Sequence, residues 1–194
     1  MRGFTLVEVL TTLALVLVLA AIVVPITDRM RQEGQVRGAA FALAGRCGRV
    51  RFAAVHRAAR VGLRFTAIGE SWEAQSFVDG DWDGVRAVDI AAGRDPAIDE
   101  ALSVQALFPG AHFGFVNGCP LIDGTAVPTG SSPLRIGTSR MLVFTPDGAS
   151  SGGTLYIRGG TLASGYAVVV LAATGRTRLL RCAPGAGAWT TDGR

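Results

Sequence analysis

Phe4-Thr5-Leu6-Val7-Glu8-Val9-Leu10 opens an apolar run that continues to Ile26, and this run decides the fold of the 194-residue chain. At 1.5 Å per residue, a helix over residues 4–26 would extend roughly 34 Å, enough to cross a hydrocarbon core of about 30 Å. Glu8 is the only ionisable side chain in the run. Because a carboxylate at the bilayer centre costs about 2.5–3.5 kcal/mol, Glu8 requires a partner. The sequence therefore predicts a membrane-spanning helix with one functional acid near its start.

Two simpler interpretations of this segment are a secretory signal peptide and a plain membrane anchor. A signal peptide has an apolar region of about 7–15 residues and a small-residue cleavage site. This run is longer and continues into Pro25-Ile26-Thr27-Asp28 without such a site. A plain anchor explains the length but leaves Glu8 unexplained. Pro25 removes one helical hydrogen bond, so we expect it to bend or loosen the span.

The segment Gly3-Phe4-Thr5-Leu6-Val7-Glu8-Val9-Leu10 combines a glycine, a short apolar stretch and the acid Glu8. It resembles the cleavage and methylation site of type IV pilins and of the pseudopilins of type II secretion systems. The resemblance implies that a prepilin peptidase removes residues 1–3 as a leader, cuts between Gly3 and Phe4, and methylates the new amino terminus of Phe4. It further implies that Glu8 neutralises the amino terminus of a neighbouring subunit during assembly. Pro25 lies where this family often has a proline.

Beyond the span, the apolar pattern predicts a second helical half over residues 27–59. Apolar residues recur there at steps of four and three, as on one face of a helix: Val36, Ala40, Leu43, Cys47, Val50 and Ala54. Arginines follow one flank of this stripe and predict a basic surface facing solvent or another subunit: Arg31, Arg46, Arg49, Arg57 and Arg60. From Val61 the apolar period becomes two, which indicates a strand.

A β-rich domain is predicted over residues 60–182, followed by a tail at 183–194. Further strands are expected at 72–78, 85–90, 111–116, 140–145, 153–158, 166–172 and 177–182. Thr145-Pro146-Asp147-Gly148 is typical of a tight turn, and residues 117–133 are rich in Gly, Pro, Ser and Thr and indicate a surface loop. A long helix followed by short strands predicts an α+β fold, with the distal half of the helix on an antiparallel sheet. The pilin resemblance implies the same fold.

Three C-terminal stretches carry a second pattern: Phe144-Thr145-Pro146-Asp147-Gly148, Gly153-Thr154-Leu155-Tyr156-Ile157 and Ala173-Thr174-Gly175-Arg176-Thr177-Arg178. They are similar to the GspH/FimT branch of minor pseudopilins. This implies a subunit held in the inner membrane by one span, with a periplasmic domain, that enters a filament for protein secretion, a type IV pilus or DNA uptake. The implied partners are other pilins or pseudopilins, the prepilin peptidase, the inner-membrane assembly platform, and secreted proteins or DNA.

Gly175-Arg176-Thr177-Arg178 also resembles a motif linked to DNA binding in some FimT-like minor pilins. If a strand follows the turn, Arg176 and Arg178 face one side about 6.6 Å apart and could contact successive phosphates. Arginines that could reinforce them, if the fold brings them close, are Arg135, Arg140 and Arg181. The alternative is a solvated hairpin tip that serves folding or subunit contacts.

The three cysteines, Cys47, Cys119 and Cys182, leave the redox state open. In an oxidising compartment, a bond between Cys119 and Cys182 would tie the Gly/Pro-rich loop to the C-terminal tail. The alternative is three reduced thiols, with Cys47 packed as a small apolar residue.

Asp79-Gly80-Asp81-Trp82-Asp83-Gly84 matches the first half of a calcium loop, with Asp79, Asp81 and Asp83 as candidate ligands. Ile90 stands where such a loop has its bidentate glutamate. The alternative is a polar turn, and no other cofactor is expected.

Charge is distributed unevenly: residues 29–64 hold nine arginines against one glutamate, and residues 70–100 hold nine acids against two arginines. This predicts pairing within a subunit or between subunits.

An enzyme is not expected, because His56 and His112 fit no catalytic or metal-binding spacing. Gly148-Ala149-Ser150-Ser151-Gly152 matches a nucleophile elbow in letters only, since a predicted strand, and no helix, follows it.

Overall fold

The computed structural model describes residues 5–69, 71–160 and 163–191. In this part of the chain one long helix, α1 (Leu6–Arg57), is followed by short strands and two short helices. The strands are β1 (Val61–Ile68), β2 (Ser71–Val78), β3 (Leu102–Ser103), β4 (His112–Phe113), β5 (Leu134–Arg135), β6 (Met141–Phe144), β7 (Gly153–Arg158), β8 (Gly165–Val170), β9 (Thr177–Cys182) and β10 (Thr190–Thr191), and the short helices are α2 (Ala87–Ala91) and α3 (Val104–Leu107). This is the α+β architecture that the sequence predicts.

Helix α1 runs without interruption for 52 residues. Thr5 caps its start, because the Thr5 hydroxyl oxygen accepts a hydrogen bond from the backbone N–H of Glu8 at 3.3 Å. An 18-residue window of the helix has a mean hydropathy of 2.9 and is not buried at all, so α1 is long and apolar enough to cross a membrane. Pro25 lies inside the helix, which continues on both sides of it.

The second half of α1 packs on the sheets. Its buried residues are Val36, Ala39, Ala40, Leu43, Arg46, Cys47, Val50 and Ala54. They include every member of the predicted apolar stripe, so that prediction is confirmed. Arg46 departs from the predicted exposed basic surface: its side chain is only 10% exposed, and its Nη2 lies 2.5 Å from Asp99 Oδ1. The arginine is buried because an acid from the distant acidic region neutralises it.

All strand pairings among the described residues are antiparallel. The first sheet has the order β3-β2-β1-β6, and the second has the order β10-β9-β8-β7-β4, with β5 also paired to β7. Both sheets bury apolar side chains against α1 in one core, with Leu63 and Phe144 from the first sheet and Ile157 and Val168 from the second. The other face of the second sheet, which we call the outer face, has a separate apolar cluster around Tyr156.

The short elements β3, α3 and β5 are not among the predicted elements, and two predicted segments have a different structure. Residues 85–90 are predicted as a strand, but the structure has helix α2 there. The backbone N–H of Arg86 donates to Asp95 Oδ2 at 3.0 Å, and the buried Asp89 carboxylate pairs with Arg94, so these acids stabilise a helical turn. The predicted tail contains β10, whose Thr190 lies opposite Arg181 of β9.

Candidate functional site

The head of α1, residues 5–26, is exposed on all sides. Glu8 lies in its first turn, and the Glu8 carboxylate has no hydrogen-bond or ion-pair partner within the described ranges. Gly3 and Phe4, the predicted cleavage site, lie outside the described residues. A lone carboxylate on an apolar helix is costly to bury unless another group neutralises it, so burial of this head in a membrane or an assembly would require a partner for Glu8.

The Gly-Arg-x-Arg segment follows a turn between β8 and β9. The turn closes through the Gly175 N–H, which donates to the Leu171 carbonyl at 2.8 Å, and through the Leu171 N–H, which donates to the Arg176 carbonyl at 2.9 Å. Gly175 has a φ of +58°, and a Cβ at this position would lie 2.3 Å from the Gly148 carbonyl oxygen. The glycine is therefore required for the close approach of two turns, which accounts for its place in the motif without a ligand.

Arg51 of α1 joins these two turns. Its Nε donates to the Gly148 carbonyl at 3.0 Å, and a Cβ on Gly175 would lie 3.1 Å from Arg51 Cδ. The predicted tight turn at 145–148 is confirmed, because the Gly148 N–H donates to the Thr145 carbonyl at 2.9 Å. Two of the C-terminal stretches singled out in the sequence thus meet over one helical arginine.

Arg176 and Arg178 are both exposed. Arg178 lies opposite Val169, Val169 lies opposite Thr154, and Thr154 lies opposite Arg135. Directly opposed residues project from the same face, so Arg178 and Arg135 share the outer face at a backbone separation of about 14 Å, three strand spacings. The structure therefore places Arg135 in one row with Arg178.

Arg181 and Arg140, the other two predicted reinforcing arginines, lie elsewhere. Arg181 is on the face of β9 opposite to Arg178, and its Nη2 lies 3.0 Å from Glu33 Oε1. Arg140 precedes β6 of the first sheet and stacks over Trp72, with its guanidinium carbon 5.0 Å from the ring centroid. Neither can extend the row formed by Arg178 and Arg135.

A disulfide joins Cys119 to Cys182, with the two Cα atoms 6.2 Å apart. It ties the loop of residues 117–133 to the end of β9. Over the same outer face, Trp189 Nε1 donates to the Pro120 carbonyl at 2.7 Å, and the Ile122 N–H donates to the Tyr156 hydroxyl oxygen at 3.0 Å. The bond therefore fixes a cover of loop and tail on the second sheet.

Cys47 is the free cysteine of the described chain and is buried in the core. Burial raises the pKa of its thiol to about 12, because a thiolate would be poorly solvated there. Cys47 is therefore neutral at physiological pH and acts as a small apolar residue.

The acidic loop brings one carboxylate oxygen each from Asp79, Asp81 and Asp83 within 4.8 Å of one another. These carboxylates already have partners. Asp79 accepts the backbone N–H groups of Trp82 at 2.8 Å and Gly84 at 3.0 Å. Asp83 pairs with Arg86 at 2.6 Å, and Asp81 lies 3.5 Å from Arg94. The contacts are those of a turn stabilised by side chains, which is the alternative to a calcium loop.

Comparisons of the chain with protein-family models, with curated proteins and with solved structures found no match. The function is therefore argued from the geometry of the chain and from its sequence motifs.

Glu33 and Arg51 organise the structure, and sequence reasoning assigned a role to neither. The sequence does distinguish Glu33, because it is the one acid among nine arginines in residues 29–64. Its Oε2 accepts the Ser164 N–H at 2.8 Å, and its Oε1 pairs with Arg181, so it ties α1 to the second sheet. Arg51 had no such signal, since it is one arginine among many.

Proposed function

We propose that this chain is a membrane-anchored filament subunit of the type IV pilin-like class, and more closely a minor pseudopilin of the GspH/FimT type. The observation that carries the proposal is the continuity of α1. One helix has an exposed apolar head with a single unpartnered acid, Glu8, and continues directly into a half that is buried in the globular domain. A plain anchor needs neither the acid nor the rigid connection.

The acid and the helix have complementary roles in this proposal. Before assembly, the head lies in the inner membrane and the domain in the periplasm. In the filament, the heads pack together, and Glu8 pairs with the amino terminus of Phe4 on a neighbouring subunit, which satisfies the charge in an apolar environment. The disulfide between Cys119 and Cys182 supports an oxidising compartment for the domain.

Maturation requires the prepilin peptidase, and assembly requires the inner-membrane platform and other pilins or pseudopilins. The proposal is tested at the N-terminus of the chain purified from membranes, which must begin with a methylated Phe4.

A second candidate function is DNA capture, favoured by the exposed row of Arg178 and Arg135 on the outer face with Arg176 beside it. Binding of this kind would go to phosphates, would not depend on base sequence, and would weaken as salt rises. In contrast, the close approach of two turns already explains why residue 175 is a glycine, and this supports a structural function of the motif over DNA binding.

For DNA capture, the double change Arg176→Ala with Arg178→Ala is expected to weaken duplex binding by the full-length chain in detergent. Loss of two phosphate contacts would reduce the slope of log affinity against log salt by about 1.8. Fluorescence anisotropy at several salt concentrations measures this slope. Arg49→Ala with Arg57→Ala removes the same charge from the exposed side of α1 and is the matched control. Equal slopes for the two double variants would rule out a dedicated DNA site.

A further inference from the structure

The membrane-side edge of the domain lies close to the end of the apolar head. Near this edge, Gln32 lies next to Gly160 and Glu33 accepts the Ser164 N–H, so both helix residues contact the connection between β7 and β8. From Ile26 the helix rises about 4.5 Å to Arg29 and about 9 Å to Gln32, and the polar layer of one leaflet is about 5–8 Å thick, so Arg29 would lie inside this layer and Gln32 at its outer boundary. If the head spans a membrane, as the proposed function requires, this edge touches the lipid headgroups.

A cleft of about 340 Å³ opens at this depth on one side of α1. The cleft is lined by Arg29, Met30 and Glu33 of the helix and by Ser164, Arg181, Ala183 and Pro184 of the β-rich part. Met30 is 71% exposed and continues the exposed apolar surface of the head of α1. The cleft therefore combines a basic and an apolar surface.

The charges in the cleft favour an anion. Both oxygens of Glu33 are already bound, one by the Ser164 N–H at 2.8 Å and the other by Arg181 at 3.0 Å and the Tyr166 hydroxyl at 3.3 Å. Arg181 is held in place a second time, since its Nε donates to Ser164 Oγ at 3.0 Å. Arg29 is exposed and has no ion-pair partner in the described part of the chain. The cleft therefore contains two positively charged guanidinium groups and one carboxylate, and both oxygens of this carboxylate already accept hydrogen bonds from the protein.

A second cleft on the helix provides a contrast. It has a volume of about 380 Å³ at a similar depth and contains Arg31, but also Asp28. One acid and one base leave it without excess charge. Arg31 is exposed like Arg29, so the two arginines differ mainly in the cleft to which they belong.

We propose that the cleft between Arg29 and Arg181 binds the headgroup phosphate of an anionic phospholipid. Arg181 is pre-positioned by Glu33 and Ser164, Arg29 closes on the phosphate from the helix, and Met30 and Pro184 contact the glycerol and the first acyl carbons. The contact orients the domain on the bilayer before the subunit enters a filament. The occupant is a lipid because the cleft lies at headgroup depth beside the exposed apolar helix.

The test uses the full-length chain in nanodiscs that contain equal amounts of phosphatidylglycerol and phosphatidylcholine. Native mass spectrometry of the released protein gives the ratio of the two lipid adducts. We expect wild type to retain phosphatidylglycerol preferentially. Arg29→Gln is expected to lower the ratio about fiftyfold, because it loses about fivefold of diffuse attraction and about tenfold from a charge-assisted hydrogen bond to the phosphate. Arg31→Gln, the matched control, is expected to lower the ratio only about fivefold, because it loses diffuse attraction alone.

An equal reduction of the lipid-adduct ratio in Arg29→Gln and Arg31→Gln would overturn the proposal, because it would show that only diffuse electrostatic attraction acts. A wild-type chain without preference for phosphatidylglycerol would also overturn it. Carbonate extraction of cell membranes separates this inference from the proposed function. A chain that resists extraction but lacks lipid preference contradicts only the cleft, whereas a chain that is extracted contradicts both the cleft and the membrane anchor.

Discussion

Replacing Glu8 by alanine is expected to leave cleavage of the chain intact but to reduce its incorporation into filaments at least about tenfold. The reason is that the variant leaves the amino terminus of a neighbouring subunit without a counter-charge in an apolar environment, and breaking such a buried pair costs about 3–5 kcal/mol. Immunoblots of sheared filaments, normalised to the membrane fraction, measure the incorporated share.

Two controls accompany the Glu8 experiment. Glu8→Asp keeps the charge and should retain most of the incorporation. Thr11→Ala, one turn further along the exposed head, removes a hydroxyl that donates to the Glu8 carbonyl of the same helix at 3.0 Å, and this variant should incorporate normally. Wild-type incorporation of Glu8→Ala would contradict the role assigned to the carboxylate.

Replacing both Cys119 and Cys182 by serine is expected to lower the free energy of unfolding by about 2–5 kcal/mol. The bond closes a loop with a sequence separation of 63 residues, so the unfolded chain gains conformational freedom when the bond is absent. Urea unfolding of the full chain in detergent, followed by tryptophan fluorescence, measures the loss. Trp189 reports on the cover directly because its ring centroid lies 5.8 Å from that of Tyr156.

Reduction of the wild type provides the control for this change. Dithiothreitol should shift the wild-type urea midpoint to that of the double serine variant and leave the variant unchanged. Identical midpoints for the oxidised and reduced wild type would show that the bond contributes nothing to stability.

The periodic parts of the fold could be predicted from the sequence because they depend on local pattern. The stripe from Val36 to Ala54 repeats at helical spacing, and the alternation from Val61 marks β1. Arg46 could not be assigned correctly in this way. Its burial depends on Asp99, which lies 53 residues later in the chain, and only the tertiary fold brings the two together.

The segment at 85–90 is a second case in which the sequence pattern does not predict the structure. The sequence predicts a strand there, although the adjacent Ala87 and Val88 interrupt the apolar alternation. The buried Asp89 carboxylate binds Arg94, and the buried Asp95 carboxylate accepts the backbone N–H groups of residues 80 and 86, so these contacts fix a turn of helix instead. Such side-chain contacts to the backbone compete with sheet pairing, and they are not visible in hydrophobic periodicity.

The candidate site was only partly predictable. The sequence leaves open either a bond between Cys119 and Cys182 or reduced thiols, and the structure contains the bond. The exposure of Arg176 and Arg178 followed from the turn, but the alignment of Arg178 with Arg135 follows from the register of β5, β7, β8 and β9. The contact of Gly175 with Gly148 also needs the fold, because the two turns are 27 residues apart and meet only over Arg51.

The most direct test of the filament-subunit proposal is the mass of the N-terminal peptide of the chain purified from membranes of cells with an active prepilin peptidase. The account predicts a peptide that begins at Phe4 and carries one methyl group, and an intact Met1-Arg2-Gly3 leader when the peptidase is deleted. An unmodified N-terminus that still includes residues 1–3 in the peptidase-positive cells would contradict it.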